Sequence, residues 1–253
     1  MELDEQLLAE IDWRAWRSEF PGLEKRTYLN TVSLGQLSNR SRSAVDRFLD
    51  LWQRCCSDPQ EGQAAQVFDS IDRLYSESQR FYHNTDHIEQ CLEQLERIRD
   101  RLQNADAAEM AIWFHDVIYR PLSKTNESES AIFFRQSAAN NMQPEFVDRV
   151  CELIMYTLHN GMPDDDSDGQ YVVDIDLFSL GQAWELCKVD SDNVRAEKSY
   201  LSDEEYINNQ KAFFQGLIAR PSVFLTDFFR QHREGRAREN IHRQLDRFEK
   251  KQI

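Results

Sequence analysis

Ala105-Asp106-Ala107-Ala108-Glu109-Met110-Ala111-Ile112-Trp113-Phe114-His115-Asp116-Val117-Ile118-Tyr119 is apolar on nearly every side when wound as a helix. That pattern belongs to a central helix rather than a surface one. His115 and Asp116 sit inside it, and an unpaired carboxylate among Trp113, Phe114, Val117 and Ile118 would cost several kcal/mol. A bound cation removes that cost, so the stretch predicts a metal as well as a core helix. Adjacent helical residues point about 100° apart. Both therefore reach one ion only at the helix flank, with further ligands arriving from neighbouring helices.

Outward from this centre, almost every segment has apolar residues at three-to-four spacing, so the chain is expected to be all-α. Val67, Phe68, Ile71, Leu74 and Tyr75 form one stripe, and His87, Ile88, Cys91, Leu92, Leu95, Ile98 and Leu102 form the next. Between them stands Tyr82-His83-Asn84-Thr85-Asp86-His87. Its two histidines lie four apart, a spacing that converges on one side of a helix. Further helices are expected from Glu127 to Ala138, from Pro144 to His159, and from the Ser202-Asp203-Glu204-Glu205 capping box to about Arg220, where Pro221 stops it. The last helix carries Ala237, Ile241, Leu245 and Phe248 on one side, and its Arg- and Glu-rich side reads as a solvated face laced with i,i+4 pairs, with a phosphate-binding role as the alternative. Asn160 to Gly169 is the clearest loop. Tyr171-Val172-Val173-Asp174-Ile175-Asp176-Leu177-Phe178 alone has a β-like composition, and one of its aspartates would complete a ligand set with the histidines. Residues 1–44 are turn-rich and read as a short appendage to a domain over residues 45–253.

The 253 residues suffice for one large core, and the formal charge of −15 argues against wrapping duplex nucleic acid. A single phosphorylated metabolite stays compatible with that charge. The five cysteines show no C-x-x-C spacing, and the acidic amino terminus is unlike a secretory signal. No apolar run approaches the roughly 18 residues needed to span a bilayer. These features lead to the expectation of a soluble cytoplasmic protein with reduced thiols and no membrane partner; the oligomeric state is left open.

Five blocks in order carry a resemblance: Tyr82-His83-Asn84-x-x-His87-Ile88; Ala111-Ile112-Trp113-Phe114-His115-Asp116-x-x-Tyr119; Asn126-Glu127-x-x-Ser130-Ala131; Asp174-x-Asp176-Leu177-x-x-Leu180-Gly181; and Ala219-Arg220-Pro221. Over roughly residues 45–253 the chain resembles the HD superfamily of metal-dependent phosphohydrolases. The resemblance implies an HD-domain helical bundle in which His87, His115, Asp116 and Asp176 hold a divalent metal, and it is what ranks Asp176 above Asp174. The first block is also similar to cyclic-nucleotide phosphodiesterases, which implies that His83 protonates the leaving oxygen while His87 binds metal. The expected activity is attack of metal-bound water on a small phosphoester or nucleotide, with His83 and Asp116 as catalytic residues. Tyr119 stands where the phosphodiesterase pattern has a further His, which weakens the case for a two-metal centre.

The ligand set suits Mn, Fe, Zn, Ni or Co better than Mg alone. Glu127 reads equally as a group behind the ligands and as a helix-dipole partner. His159 reads as a substrate or second-metal contact, or as a helix C-terminal His. Arg80, Lys124 and Arg220 are the candidate phosphate partners, with salt bridging or stem packing as the alternative. His232 and His242 read as surface residues. Asp164-x-Asp166-x-Asp168-Gly169 imitates a calcium loop, but its twelfth position is Ile175, not the closing Glu. The segment Tyr28 to Gly35 faintly resembles the opening of fold-type-I pyridoxal-phosphate enzymes, without room for the rest of that fold, so no organic cofactor is expected. The competing functions are an HD-fold di-iron oxygenase and a non-catalytic metal- or metabolite-binding regulator.

Overall fold

A computed structural model describes residues 39–57, 62–121, 123–139, 141–159 and 165–250. The pyridoxal-like segment and most of the appendage lie outside them. The chain divides into two compact units, residues 1–54 and 55–253. In the first unit, α1 (Asn39–Cys55) buries Phe48, Leu51 and Trp52, with the Phe48 and Trp52 rings one turn apart at 5.7 Å.

The described part of the second unit is helical: α2 (Gln63–Tyr75), α3 (Thr85–Glu96), α4 (Ala105–Phe114), α5 (Asn126–Ala138), α6 (Pro144–Tyr156), α7 (Ser167–Asp176), α8 (Trp184–Glu197), α9 (Asp203–Ile218) and α10 (Asp227–Glu249). Short 3-10 turns cover Arg99–Arg101 and Leu177–Gly181. α4 is the central helix, walled by α3, α5, α6 and α7. Its Ala107, Ala108, Met110, Ala111 and Phe114 are all fully buried. α8 and α10 then cover the 3-10 turn that follows α7. No helix among the described residues is long and apolar enough to cross a membrane.

The β-like stretch is where composition misleads. Asp166 accepts from the Gly169 amide and starts α7 as a helix, and Tyr171, Val172, Val173 and Ile175 are apolar on several sides because the helix is buried on several sides. A short apolar run cannot be told from a buried helix by periodicity. At Gly169 an added Cβ would lie 2.7 Å from the Tyr156 ring, so glycine permits the close approach of α6 and α7. The expected capping box is present at Ser202 and Glu205. Helix α8 is an addition to the sequence reading, which placed no element between Gly181 and Ser202.

The calcium-like loop is accounted for by ordinary contacts. Asp166 caps α7 and pairs with Arg149, while buried Asp168 accepts from the amides of Gln103 and Asn104, ahead of α4. Asp164 lies outside the described residues. Among the described residues all five cysteines are free thiols.

Candidate metal centre

Helix α4 stops at Phe114, so the His-Asp doublet lies at its end and not within it. His115 is the C-cap and Asp116 begins the turn beyond. The buried guanidinium of Arg80 takes carbonyls of the turn just past the helix end. Its nitrogens donate to the Asp116 carbonyl at 2.7 Å and the Val117 carbonyl at 2.8 Å, and also to the His83 carbonyl at 3.1 Å. Arg80 thus ties the turn bearing Asp116 to the loop bearing His83. Of its two expected roles, phosphate partner or salt bridge, the contacts are those of the second: the guanidinium is occupied by backbone carbonyls and a Glu77 ion pair.

Asn84 fixes the other histidine. Its side-chain oxygen accepts from the amides of Asp86 (3.0 Å) and His87 (3.3 Å), which makes it the N-cap of α3 and puts His87 in the first turn, facing inward. Asp176 is the last residue of α7. Asp174, two residues earlier and therefore on the opposite side of the helix, is fully buried and accepts from the Leu225 amide and from the Thr226 amide and hydroxyl. Burial nevertheless pushes its carboxyl up to about 6. One aspartate holds the entry to α10, and the other faces the histidines.

The side chains of His87, His115, Asp116 and Asp176 converge, with one candidate ligand atom from each lying within 4.8 Å of the others. His115 Nε2 lies 3.0 Å from Asp116 Oδ2 and 3.4 Å from Asp176 Oδ1, and His87 Nε2 lies 3.8 Å and 3.5 Å from the same two atoms. Ligands around a divalent cation with bonds of about 2.1 Å stand roughly 3 to 4 Å apart. The donor set therefore fits such an ion. A second observation agrees: His115 Nδ1 bonds the Ile112 carbonyl at 2.9 Å, so buried Nε2 is the nitrogen turned to the carboxylates. Charge points the same way. Burial opposes ionisation of Asp116, but the His115 and His83 imidazoles hold its carboxyl well below the usual range. At Asp176 burial is likewise overcome by contacts from His115, His159 and His87. The neighbouring histidines thus hold both carboxylates ionised against their burial.

His83 stands at the edge of this cluster. Its Nδ1 lies 2.5 Å from an oxygen of Glu197, whose other oxygen accepts from the Tyr82 and His83 amides at 2.8 Å each. Tyr119 stacks on the His83 ring with centroids 4.2 Å apart. Burial disfavours imidazolium here, yet the Asp116 charge and the Glu197 contact outweigh it and raise the His83 pKa. Glu197 is only 3 % exposed, and sequence reasoning missed it.

A cavity of about 360 Å³ opens onto His83, Asp116 and Asp176. Glu127 and His159 also line it. Burial, followed by the Asp116 and Asp176 charges, raises the Glu127 carboxyl. His159 lies beyond the end of α6 rather than within it; its backbone is left-handed (φ 54°), and its Nε2 lies 2.9 Å from Asp176 Oδ2. Of the other candidate phosphate partners, Lys124 is exposed and does not line the cavity, and Arg220 donates to the His159 carbonyl. Half-buried Lys198, which sequence reasoning passed over, lines the cavity instead. His232 and His242 are exposed, each with Nδ1 on a carbonyl of its own helix. No family model, curated protein or solved structure matches the chain.

Proposed function

We propose that the protein is a divalent-metal-dependent phosphohydrolase acting on a small phosphoester or nucleotide. The observation that carries this reading is the convergence of His87, His115, Asp116 and Asp176, with one candidate ligand atom from each within 4.8 Å of the others. His87, His115, Asp116 and Asp176 would hold the ion. A divalent cation bound there supplies Lewis acidity toward a phosphoryl oxygen and makes a bound water acidic enough to act near neutral pH.

The chain's own residues supply the rest. Glu197 accepts the Nδ1 proton of His83, so Nε2 is the nitrogen left to carry a proton to a departing alkoxide. The raised pKa keeps His83 protonated further toward neutrality. Lys198 brings positive charge to the cavity for a phosphate, and Asn209, Gln210 and Phe213 line it to receive the remainder of a substrate. Arg80 and Asn84 act on position, holding the two histidine-bearing segments against the Asp116 turn.

The test is metal analysis of the purified chain, followed by turnover of a phosphomonoester, a phosphodiester and a nucleotide panel with Mn, Fe, Co, Ni, Zn and Mg. The expected result is a bound divalent metal and hydrolysis of at least one substrate class, reduced about 10²- to 10⁴-fold by His83→Gln. Absence of turnover with every metal overturns the reading. His159, whose Nδ1 is buried without a partner, is the observation favouring a dinuclear centre. Two irons per chain with substrate-dependent oxygen uptake would replace the hydrolase by an oxygenase.

A further inference from the structure

A second cavity, of about 580 Å³, lies against the first and shares Tyr82 and Asp190 with it. One wall is a single face of α3, from Asp86 through Gln90 and Gln94 to Arg97 just past its end. At 1.5 Å per residue that wall is about 16 Å long. The facing wall is α8, presenting Leu186, Val189 and Asn193, and α10 closes one end with Arg233 and Arg236.

The arginines are the first unexplained feature. Helix α10 carries six arginines. Arg230, Arg238, Arg243 and Arg247 each pair with a carboxylate. Arg233 and Arg236, the two that line the cavity, have no such pair among the described residues, and neither has Arg97. Arg233 is held by neutral groups: it donates to the Gln94 side chain at 2.8 Å and lies over the Phe178 ring. Three acids also line the cavity: Glu93 stands one turn before Arg97 without an ion pair to any of the three arginines, while Asp86 lies at the start of α3 and Asp190 at the edge shared with the first cavity. Burial, then the charges of Arg97 and Arg236, weaken Arg233's hold on its proton, so the three cations repel one another. The arginine end of the cavity is therefore the place where an anion would find the most favourable field.

The second feature is apolar. Phe81, Leu186 and Val189 are 48 %, 55 % and 53 % exposed, and all three line this cavity. Its volume is that of a small-molecule site, in which a few charged groups orient a ligand against apolar walls.

We propose that this cavity binds a small organic phosphate, its phosphate oxygens on Arg97, Arg233 and Arg236 and its apolar or aromatic body along Leu186, Val189 and Phe81. The site adjoins the metal cavity, since His87 also lines it, but its proposed phosphate contacts are the arginines of α10 and the end of α3, and it does not depend on the hydrolase reading. It takes up the phosphate-binding alternative for part of the α10 charged face, the rest of which carries the expected i,i+3 and i,i+4 pairs.

The test is calorimetric titration of the full chain with pyrophosphate and with ADP, in EDTA so that no metal bridges either probe to the carboxylates. Saturable binding is expected, with ADP the tighter. Arg236→Gln, an exposed position that leaves the fold intact, weakens ADP by about three- to tenfold, and Arg233→Gln by about tenfold or more. His83→Gln leaves ADP affinity unchanged. Three results overturn the proposal: no saturable binding of either probe, arginine variants that bind like the parent, or loss of binding in His83→Gln. Pyrophosphate binding as tightly as ADP overturns the assignment of the apolar wall.

Discussion

His83 depends on Glu197 for both its tautomer and its charge. A cation bound at Asp116 would offset that carboxylate's pull on the imidazole, leaving Glu197 as the partner that keeps His83 protonated. Glu197→Gln removes a negative charge, so the His83 pKa falls and the proton-donating form is lost at lower pH. The alkaline limb of the kcat/KM profile is expected to move to lower pH, with activity about ten- to hundredfold down at pH 8 and metal content unchanged. An unchanged profile would reduce Glu197 to a loop anchor. A second contrast separates two aspartates that are two positions apart. Asp176→Asn should lower bound metal with little loss of fold. Asp174→Ala should keep the ligands but strand the Leu225 and Thr226 amides, costing about 2–5 kcal/mol in urea unfolding. Buried His and Asp are visible in a sequence because their neighbours are apolar. Glu197 is not, because an acid near the end of an amphipathic helix looks like any solvated one, and its partner His83 lies 114 positions away.

At the scale of elements, the decisive junction is the end of α4. Arg80 bonds the carbonyls of Asp116, Val117 and His83. Arg80→Gln therefore should loosen two segments of the centre together, lowering thermal stability and metal affinity in one variant. Melting curves with and without added metal would reveal a variant that loses only one of the two. The 3-10 turn after α7 is a second tight junction. A Cβ on Gly181 would lie 2.6 Å from Cβ of Arg233 on α10, and Gly181→Ala is expected to destabilise by about 1–3 kcal/mol in denaturant titration. Helix type was legible from periodicity wherever one face is solvated, as in α3 and α9. It was not legible in α7, where burial removes the polar stripe, and the extent of α4 was overread because apolar residues continue past its last helical turn.

For the whole molecule, the formal charge of −15 coexists with two neighbouring places proposed to take ligands of opposite sign. The carboxylates of the candidate metal centre would take a cation, and the three arginines at one end of the neighbouring cavity would take an anion. Saturating the first should stabilise the fold: at a hundredfold excess over Kd the gain is about 2.7 kcal/mol. That corresponds to a rise in melting temperature of roughly 5–10 °C for a chain this size. Chelation should reverse the rise, and Asp176→Asn should abolish it; a melting temperature indifferent to metal would remove the centre from the folding equilibrium. The sequence by itself determined the helical class, the central helix and the polar residues that its apolar neighbours make costly, since these follow from spacing and from the penalty on buried charge. Only the tertiary structure decided which residues hold those groups in place and which arginines are left unpaired. Arg80, Glu197 and the arginines of α10 draw their roles from partners on other elements, and a contact between distant segments leaves no periodic trace along one chain.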